Sequence, residues 1–155
     1  MSNTLTCPFC LPAVSPAVFA ETKNFKAIYN LAPILPGHSL IIPKKHVSSF
    51  MDISDEYMNE MIVFSRKVIR TLQHAFHTTS FDWTIQEGVE AGQTVDHMHL
   101  HIIPRKTNDL PNCGDWYPLL EDSISKLSES TSRPRHTEEE MKVIATRLGS
   151  IFESK

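Results

Sequence analysis

The stretch Asp96-His97-Met98-His99-Leu100-His101-Ile102-Ile103-Pro104 places three histidines at alternate positions, separated by apolar residues. Because successive side chains of a β-strand point to opposite faces, this pattern predicts a strand with the imidazoles on one face and the apolar side chains in a core. The histidines would then line an accessible wall, and Pro104, which lacks a backbone N–H, would end the strand as at a sheet edge. Imidazole acts as base, nucleophile or metal ligand near neutral pH, so the row indicates a reaction centre. A solvated polar face and an adventitious metal site are the alternatives.

The composition is that of a globular protein of one domain, spanning residues 1–155, with 41% hydrophobic and 21% charged residues. The formal net charge of -3 argues against a general nucleic-acid binder, which would be basic. No apolar run approaches the roughly 18 residues of a membrane span, and no secretory signal is visible at the N-terminus. We therefore expect a cytoplasmic protein that binds neither nucleic acid nor membrane.

The rest of the chain predicts an α+β fold with a mostly antiparallel sheet of about five strands, one long helix and a C-terminal helix. Besides the histidine row, the predicted strands cover residues 16–20, 25–30, 39–43 and 81–86. Ser54 is a helix N-cap before an amphipathic pattern that reaches Phe76, and Thr137 begins a capping box for the last helix. The polar segment 107–136 before that helix is expected to be exposed or mobile.

Two of the three cysteines form a Cys-x-x-Cys pair, Cys7 and Cys10, and the third is Cys113. An odd number makes a poor disulfide framework, so the pair is either half of a zinc site or a redox pair. Pro8 between the cysteines, and further prolines after them, disfavour the redox motif, which should open a helix. A tetrahedral zinc site needs two more ligands, and histidines elsewhere in the chain are able to supply them.

The loop before the histidine row indicates a phosphate-containing substrate. Gly88 and Gly92 allow backbone N–H groups to approach an anion, and Gln93 and Thr94 add polar side chains. A neutral imidazole, with an ordinary pKa of about 6.5, is a competent nucleophile toward phosphorus at pH 7. His99, in the centre of the row, is the natural candidate for that nucleophile.

Three separated motifs, spread over about residues 25–106, resemble the histidine triad superfamily. They are the His-φ-His-φ-His-φ-φ signature at 97–103, where φ is apolar, the Ala-Gly-Gln-Thr-Val segment at 91–95, and the Pro-Gly-His strand at 36–43. The resemblance implies hydrolysis or transfer of a nucleotide at its α-phosphate, with His99 as nucleophile. It also implies that His101 and His38 surround the phosphate and that Asn30 contacts the ribose. Loose candidates for an apolar adenine pocket are Phe9, Val18, Phe19 and Ile28.

Two features are similar to the fragile histidine triad branch, whose members hydrolyse dinucleoside polyphosphates such as diadenosine tri- or tetraphosphate. Gln86 occupies a position where the phosphoramidase-like branch tends to carry asparagine, and its longer amide would reach a bridging oxygen. Arg105-Lys106 and the tail that follows also match the fragile branch. A nucleoside phosphoramidase, a nucleotidyltransferase and a non-catalytic nucleotide sensor remain as alternatives.

The front of the chain departs from that branch, since Cys7-Pro8-Phe9-Cys10 looks like the zinc-bearing members of the superfamily. Carried over, the resemblance implies a structural Zn²⁺ held by Cys7, Cys10, His46 and His97, with an empty or oxidised cysteine pair as the alternative. His97 would bind zinc through one ring nitrogen and orient His99 through the other. The resemblance further implies a homodimer, with the sheets joined edge to edge through the first helix or strand region. A divalent ion such as Mg²⁺ is expected to accompany the nucleotide substrate.

Overall fold

The computed structural model describes residues 4, 6–125 and 135–155, and its centre is a five-stranded antiparallel sheet in the order β1-β2-β3-β5-β4. The strands are β1 Val18–Glu21, β2 Phe25–Tyr29, β3 Ser39–Pro43, β4 Ser80–Ile85 and β5 Leu100–Arg105. The helices are α1 Asp55–Phe76, α2 Trp116–Ser125 and α3 Glu138–Glu153. The predicted α+β fold, with its five strands, long helix and C-terminal helix, is confirmed.

Helix α1 begins and ends where its sequence signals predict. The Ser54 side chain accepts a hydrogen bond from Tyr57 N at 3.3 Å, which satisfies one of the free N–H groups of the first turn. The helix ends at His77, whose left-handed backbone (φ 53°) stops the helical hydrogen bonding. Both ends of the amphipathic stripe are therefore set locally, and the stripe itself lies on the sheet.

The core lies between one face of the sheet and helices α1 and α3. The apolar members of the histidine row, Met98, Leu100 and Ile102, are at most 1% exposed, as their alternation predicts. Helix α3 begins with the predicted capping box at Thr137, and it packs on both α1 and β1. At a fully buried position, each such side chain contributes roughly 1.5–3 kcal/mol relative to exposure.

The histidine row differs from the prediction in its exposure. The three imidazoles are 0%, 5% and 6% exposed in chain order, so the expected accessible wall is wrong. The regular strand begins only at Leu100, and a bend at 95–97 precedes it. The Phe9 ring lies edge-on against His97 at 5.7 Å and His99 at 5.3 Å between centroids, so the N-terminal segment covers the row.

Pro104 does not end the strand, contrary to the prediction. Strand β5 is central and continues to Arg105, with Pro104 opposite Phe81 of β4. Pairing with β3, on the other side, stops at Ile102. Pro104 therefore has a strand partner on one side only, which is the situation that tolerates a missing N–H donor.

Two further segments differ from their sequence-based prediction. Residues Pro12–Ala17 form a 3₁₀ helix, so the strand expected at 16–20 begins later, at Val18; proline favours the φ of such a helix. Helix α2 lies within 107–136, where no element was predicted, although Asn112 and Asp115 form a capping box just before it. Residues 126–134 of that segment lie outside the described residues, and the mobility expected there stays a prediction.

None of the helices formed by the described residues is both long enough and apolar enough to cross a membrane.

The carboxylate of Glu60, on α1, holds the β1–β2 turn against the helix. It accepts hydrogen bonds from Thr22 Oγ1 at 2.6 Å, Asn24 N at 2.9 Å and Asn24 Nδ2 at 2.6 Å. Burial alone would raise the pKa of Glu60, but these donors hold it below its usual value. The carboxylate therefore stabilises the fold above the unfolded pKa of about 4.3, and this stabilisation is lost as the pH falls through the folded pKa.

We predict that Glu60→Gln lowers the free energy of unfolding by about 1–2 kcal/mol at pH 7. The NH₂ group of the glutamine is itself a donor, so it cannot accept the hydrogen bonds that the carboxylate oxygen in its place accepts. The difference from the parent should shrink as the pH falls from the unfolded pKa of about 4.3 through the lower folded pKa, because the parent carboxyl takes up its proton over that range. Urea unfolding at pH 7 and at pH 3.5 measures both values. Glu153→Gln, in the last turn of α3, is the control and should change stability little. An equal loss at both pH values would contradict the role of the charge.

Candidate functional site

Pairing of β3 with β5 brings the histidines of two distant motifs together. His38 immediately precedes β3, and Leu40 of that strand lies opposite His101 of β5. As a result, His38 Nε2 lies 3.0 Å from His101 Nδ1. His99 stands next to His101 with 4.9 Å between the ring centroids. The three imidazoles predicted to surround a phosphate therefore form one buried cluster.

The hydrogen bonds of this cluster define its tautomers. Ile34 N donates to His38 Nδ1 at 3.3 Å, so a neutral His38 carries its proton on Nε2 and donates it to His101 Nδ1. His101 then carries its own proton on Nε2, which is buried and has no partner among the described residues. Burial, followed by the charges of His38 and His99, holds the pKa of His101 well below its usual value. His101 thus presents a neutral, unpaired donor inside the site.

His99 has the opposite tautomer. Its Nδ1 lies 2.8 Å from the backbone oxygen of His97, and because a carbonyl only accepts, Nδ1 carries the proton. The lone pair is therefore on Nε2. Burial lowers the pKa of His99, while the bond to the His97 carbonyl opposes that shift. A neutral imidazole with a free Nε2 lone pair is a nucleophile or base.

A second cluster lies directly beside the first. One ligand atom each from Cys7, Cys10, His46 and His97 lies within 4.8 Å of the others. His97 Nδ1 is 3.3 Å from Cys7 Sγ and 3.5 Å from Cys10 Sγ, and His46 Nδ1 is 3.4 Å from Cys10 Sγ. Ligands on a tetrahedral zinc with its usual bond lengths lie about 3.5 Å apart, so the four side chains fit that ion.

The two rings of this cluster are held differently. His97 Nε2 donates to the backbone oxygen of Pro43 at 2.9 Å, which leaves the Nδ1 lone pair directed at the thiols. Burial lowers the pKa of His97 to about 4, so the ring is neutral, as a metal ligand must be. The sequence-based prediction, that the second ring nitrogen of His97 orients His99, is wrong. In the structure it binds Pro43, and the backbone of His97 orients His99 instead.

The loop before the histidine row is braced by Gln93. Its Oε1 accepts from Gly88 N at 2.8 Å, and its Nε2 donates to the oxygens of Ser48 and Val95 at 3.0 and 3.2 Å. The side chain proposed as a phosphate ligand is therefore used to shape the loop. Thr94 is exposed and lines, with Cys7 and His46, a cavity of about 370 Å³ beside the cysteine–histidine cluster.

Gln86 lies inside this loop with a buried amide. Its Nε2 has no partner among the described residues, as is also true of His101 Nε2. A Cβ at Gly92 (φ +91°) would come within 2.5 Å of that nitrogen, so glycine is required there both for the backbone and for the amide. Two buried donors that have no partner among the described residues, one on the loop and one on β5, are suited to an anionic or oxygen-rich ligand.

Only some of the residues predicted to contact a nucleoside lie near the histidines. Asn30 accepts from Ala32 N at 3.0 Å, and its Nδ2 lies 3.4 Å from His38 Nε2. Strand register places Val18 opposite Ile28, in a row that continues across the sheet to His101. The remaining two candidates for the adenine pocket are Phe9, which touches the histidines, and Phe19, which is buried in the core.

Several groups that shape the site were missed by sequence reasoning. Tyr29 Oη accepts from Gly37 N at 3.2 Å and so holds the turn that leads to His38. Gly37 has φ +92°, and a Cβ there would lie 2.7 Å from the Pro104 ring, which explains the Pro-Gly-His motif. The backbone groups of Ile34, Pro43 and His97 have no signal in the sequence, because any residue carries them.

Comparison with known proteins agrees with this geometry. The family model described as the HIT domain matches residues 13–108. The bis(5'-nucleosyl)-tetraphosphatase (asymmetrical) of Schizosaccharomyces pombe is 39% identical over 115 residues, covering 74% of this chain and 63% of the relative. The bis(5'-adenosyl)-triphosphatase of Dictyostelium discoideum is 34% identical over 136 residues, covering 88% of this chain and 85% of that protein.

A solved structure gives the same result. The diadenosine triphosphate hydrolase of Plasmodium falciparum superposes with a TM-score of 0.71 at 31% identity, covering 90% of this chain and 78% of that chain. A family model that spans most of the chain, relatives above 30% identity and a shared fold all point the same way. This chain belongs to the HIT family.

Proposed function

We propose that this protein hydrolyses dinucleoside polyphosphates, such as diadenosine tri- or tetraphosphate, at the α-phosphate. The observation that carries the proposal is the pair of complementary imidazoles: His99 offers an Nε2 lone pair, and neighbouring His101 offers an unpaired Nε2–H. Relatives named as tetraphosphatase and triphosphatase support the substrate class. The chain spans 63% of the first of these relatives and 85% of the second.

The reaction follows from the two tautomers. His99 Nε2 attacks the α-phosphorus; an N–P bond forms as the P–O bond to the departing nucleotide breaks. His101 Nε2–H donates to the phosphate oxygens, where negative charge develops. His38 donates to His101 Nδ1 and so keeps the His101 proton on the side that faces the substrate. Water then attacks the phosphorus and gives up a proton to the solvent; the N–P bond breaks and its electron pair returns to His99 Nε2, releasing the mononucleotide.

Other side chains bind and orient the substrate. The buried Gln86 amide, whose Nε2 has no partner among the described residues, would donate to a bridging oxygen of the polyphosphate chain. Asn30, fixed by the N–H of Ala32, keeps a further acceptor lone pair for a ribose hydroxyl. The metal-ligating group found among the described residues consists of cysteines and histidines, with no carboxylate in it. A divalent ion such as Mg²⁺ would therefore arrive with the polyphosphate.

We also propose that Cys7, Cys10, His46 and His97 hold a structural Zn²⁺. Four protein ligands complete a tetrahedral shell and leave no position for substrate, so the metal would support the fold and take no part in the chemistry. The ring of His97 lies in this cluster, and its backbone carbonyl accepts a hydrogen bond from His99 Nδ1. A metal bound to the ring would therefore stabilise the hydrogen bond that orients His99.

We further propose a homodimer formed through β4. This edge strand pairs with β5 on one side only, and it exposes Phe81 (42%) and Trp83 (40%). An edge with free backbone groups and exposed aromatic side chains is a surface that a second copy covers by adding its own edge strand.

We predict that diadenosine triphosphate incubated with the protein in ¹⁸O-labelled water yields ADP without label and AMP with one ¹⁸O, because water attacks the histidine-bound AMP. His99→Asn should lower turnover at least about 1,000-fold and retain nucleotide binding. His74→Asn, an exposed histidine on α1, is the control and should leave turnover unchanged. Products are resolved by mass spectrometry.

Other outcomes of that experiment identify the alternatives. Faster cleavage of adenosine 5'-phosphoramidate than of the dinucleotide would indicate a phosphoramidase. With added inorganic phosphate, transfer of the histidine-bound AMP to phosphate instead of water would give a second ADP in place of AMP and would indicate a nucleotidyltransferase. Binding without turnover of any substrate would contradict an enzyme and support a nucleotide sensor.

We predict that the purified protein contains about one zinc per chain, and that Cys7→Ser and Cys10→Ser lose it and unfold at a lower temperature. Cys113→Ser, an exposed cysteine outside the cluster, should keep both the zinc and the stability of the parent. Metal analysis and thermal unfolding give the two readouts. Equal zinc contents in all four proteins would overturn the site.

We predict a solution mass of about twice the 17.6 kDa of one chain. Trp83→Lys places a charge on the β4 edge and should shift the protein toward the monomer, whereas Val143→Lys, on α3, should not. Light scattering coupled to size-exclusion chromatography measures the masses. A dimer unaffected by Trp83→Lys would place the interface elsewhere.

A further inference from the structure

Two large hydrophobic side chains are far more exposed than the fold requires. Met51 is 79% and Val89 is 81% exposed, and every other exposed large hydrophobic among the described residues is at most 67%. Neither belongs to the core cluster or to the apolar side chains packed against it. Their apolar surface lies in water, where a bound ligand would be able to cover it.

Both side chains are carried by one braced unit. Met51 follows Phe50, whose N–H donates to Glu87 Oε2 at 3.0 Å. Ser48, just before them, accepts from Gln93 Nε2 at 3.0 Å. The short helix Phe50–Asp52 is thus bound to the loop that contains Val89 at two points, and we call Met51 and Val89 together the apolar rim.

The apolar rim adjoins the proposed reaction centre. Val89 O accepts from Gly92 N at 3.0 Å, and Gly92 lies directly against the buried amide of Gln86. One turn of chain therefore separates Val89 from the side chain proposed to contact the bridging oxygen of the substrate. Gly88 (φ +86°) and Gly92 (φ +91°) flank this turn with positive φ angles that favour glycine. The two glycines therefore define the backbone conformation that leaves Val89 exposed.

The charges around the rim select against phosphate. Its neighbours on the loop are two carboxylates, Glu87 and Glu90, and Glu90 Oε2 would lie 3.7 Å from a Cβ at Gly88. These carboxylates disfavour a phosphate group at the rim itself but do not repel an uncharged aromatic ring, so the end of the substrate that reaches the rim would be a base. A methionine thioether and a branched aliphatic chain are suitable contacts for the flat face of such a ring.

We propose that Met51 and Val89 bind the base of the second nucleoside, the one on the departing nucleotide. This inference rests on the proposed function, because only a dinucleoside substrate has such a base. With the α-phosphate at His99 and the bridging oxygen at Gln86, the rest of the substrate extends beyond Gln86, toward the rim. The rim would thus distinguish dinucleoside polyphosphates from substrates with one nucleoside.

The test compares two substrates that share the α-phosphate chemistry, diadenosine triphosphate and adenosine 5'-phosphoramidate. Met51→Ser, Val89→Ser and the double variant should raise KM for the first about three- to tenfold and leave kcat within about twofold. KM for the phosphoramidate should not change. Val143→Ser, at a position that is also exposed (64%) but lies on α3, is the matched control and should change KM for neither substrate.

A variant that binds diadenosine triphosphate more tightly gives a second test, because a residue with only a structural role would not produce such a gain. Val89→Trp provides a larger stacking surface and should lower KM for diadenosine triphosphate about threefold, without changing KM for the phosphoramidate. In the His99→Asn background, calorimetry should show the same selective changes in the dissociation constant for diadenosine triphosphate, with none for AMP.

The outcomes separate this inference from the function on which it rests. A parent protein that hydrolyses diadenosine triphosphate, with rim variants that change neither substrate or both in parallel, overturns the second-nucleoside site alone. A parent protein that leaves diadenosine triphosphate intact overturns the proposed function and this inference together.

Discussion

Pairing of β3 with β5 is the contact on which both the sheet and the site depend. It joins the β1-β2-β3 part of the sheet to β5-β4 through three residue pairs, with Leu40 opposite His101 at its centre. These strands are separated by more than 50 residues of chain, so closing this loop costs several kcal/mol of conformational entropy. Apolar burial on the α1 side offsets that cost. The same register places His38 against His101 on the other side, so stability and site geometry share one constraint.

His97 links the two clusters of the site through different atoms. Its Nδ1 faces the thiols, its Nε2 donates to Pro43, and its carbonyl accepts from His99. A shift of this residue therefore affects the cysteine–histidine cluster, the anchorage to β3 and the tautomer of His99 at once. Close packing around a fully buried ring leaves little freedom for such a shift. His99, the proposed nucleophile, is thus oriented by a backbone atom of a residue whose ring contacts Cys7 and Cys10.

The sequence predicted most of this arrangement where side-chain chemistry or periodicity carried the signal. The Ser54 and Thr137 caps, the strand at Ser39–Pro43 and the apolar side of the histidine row are as predicted. The burial of the histidines was not predicted, because alternation shows which side chains share a face but not what covers that face. Phe9 covers it from a segment about 90 residues away in the chain. The roles of Ile34, Pro43 and the His97 carbonyl were invisible for a related reason: they are backbone atoms placed by tertiary contacts.

The buried imidazoles also explain how the site is prepared for an anion without holding a fixed charge. Burial keeps His99 and His101 neutral, and a directed series of hydrogen bonds, from Ile34 N–H through His38 to His101, aligns their protons. This order leaves His101 Nε2–H without a partner among the described residues, and the buried Gln86 Nε2 likewise has none there. Each such buried donor costs about 1–3 kcal/mol in the free protein. A ligand that brings acceptor oxygens to both donors would remove that cost on binding, so the unpaired donors would favour the phosphate chain of the proposed substrate.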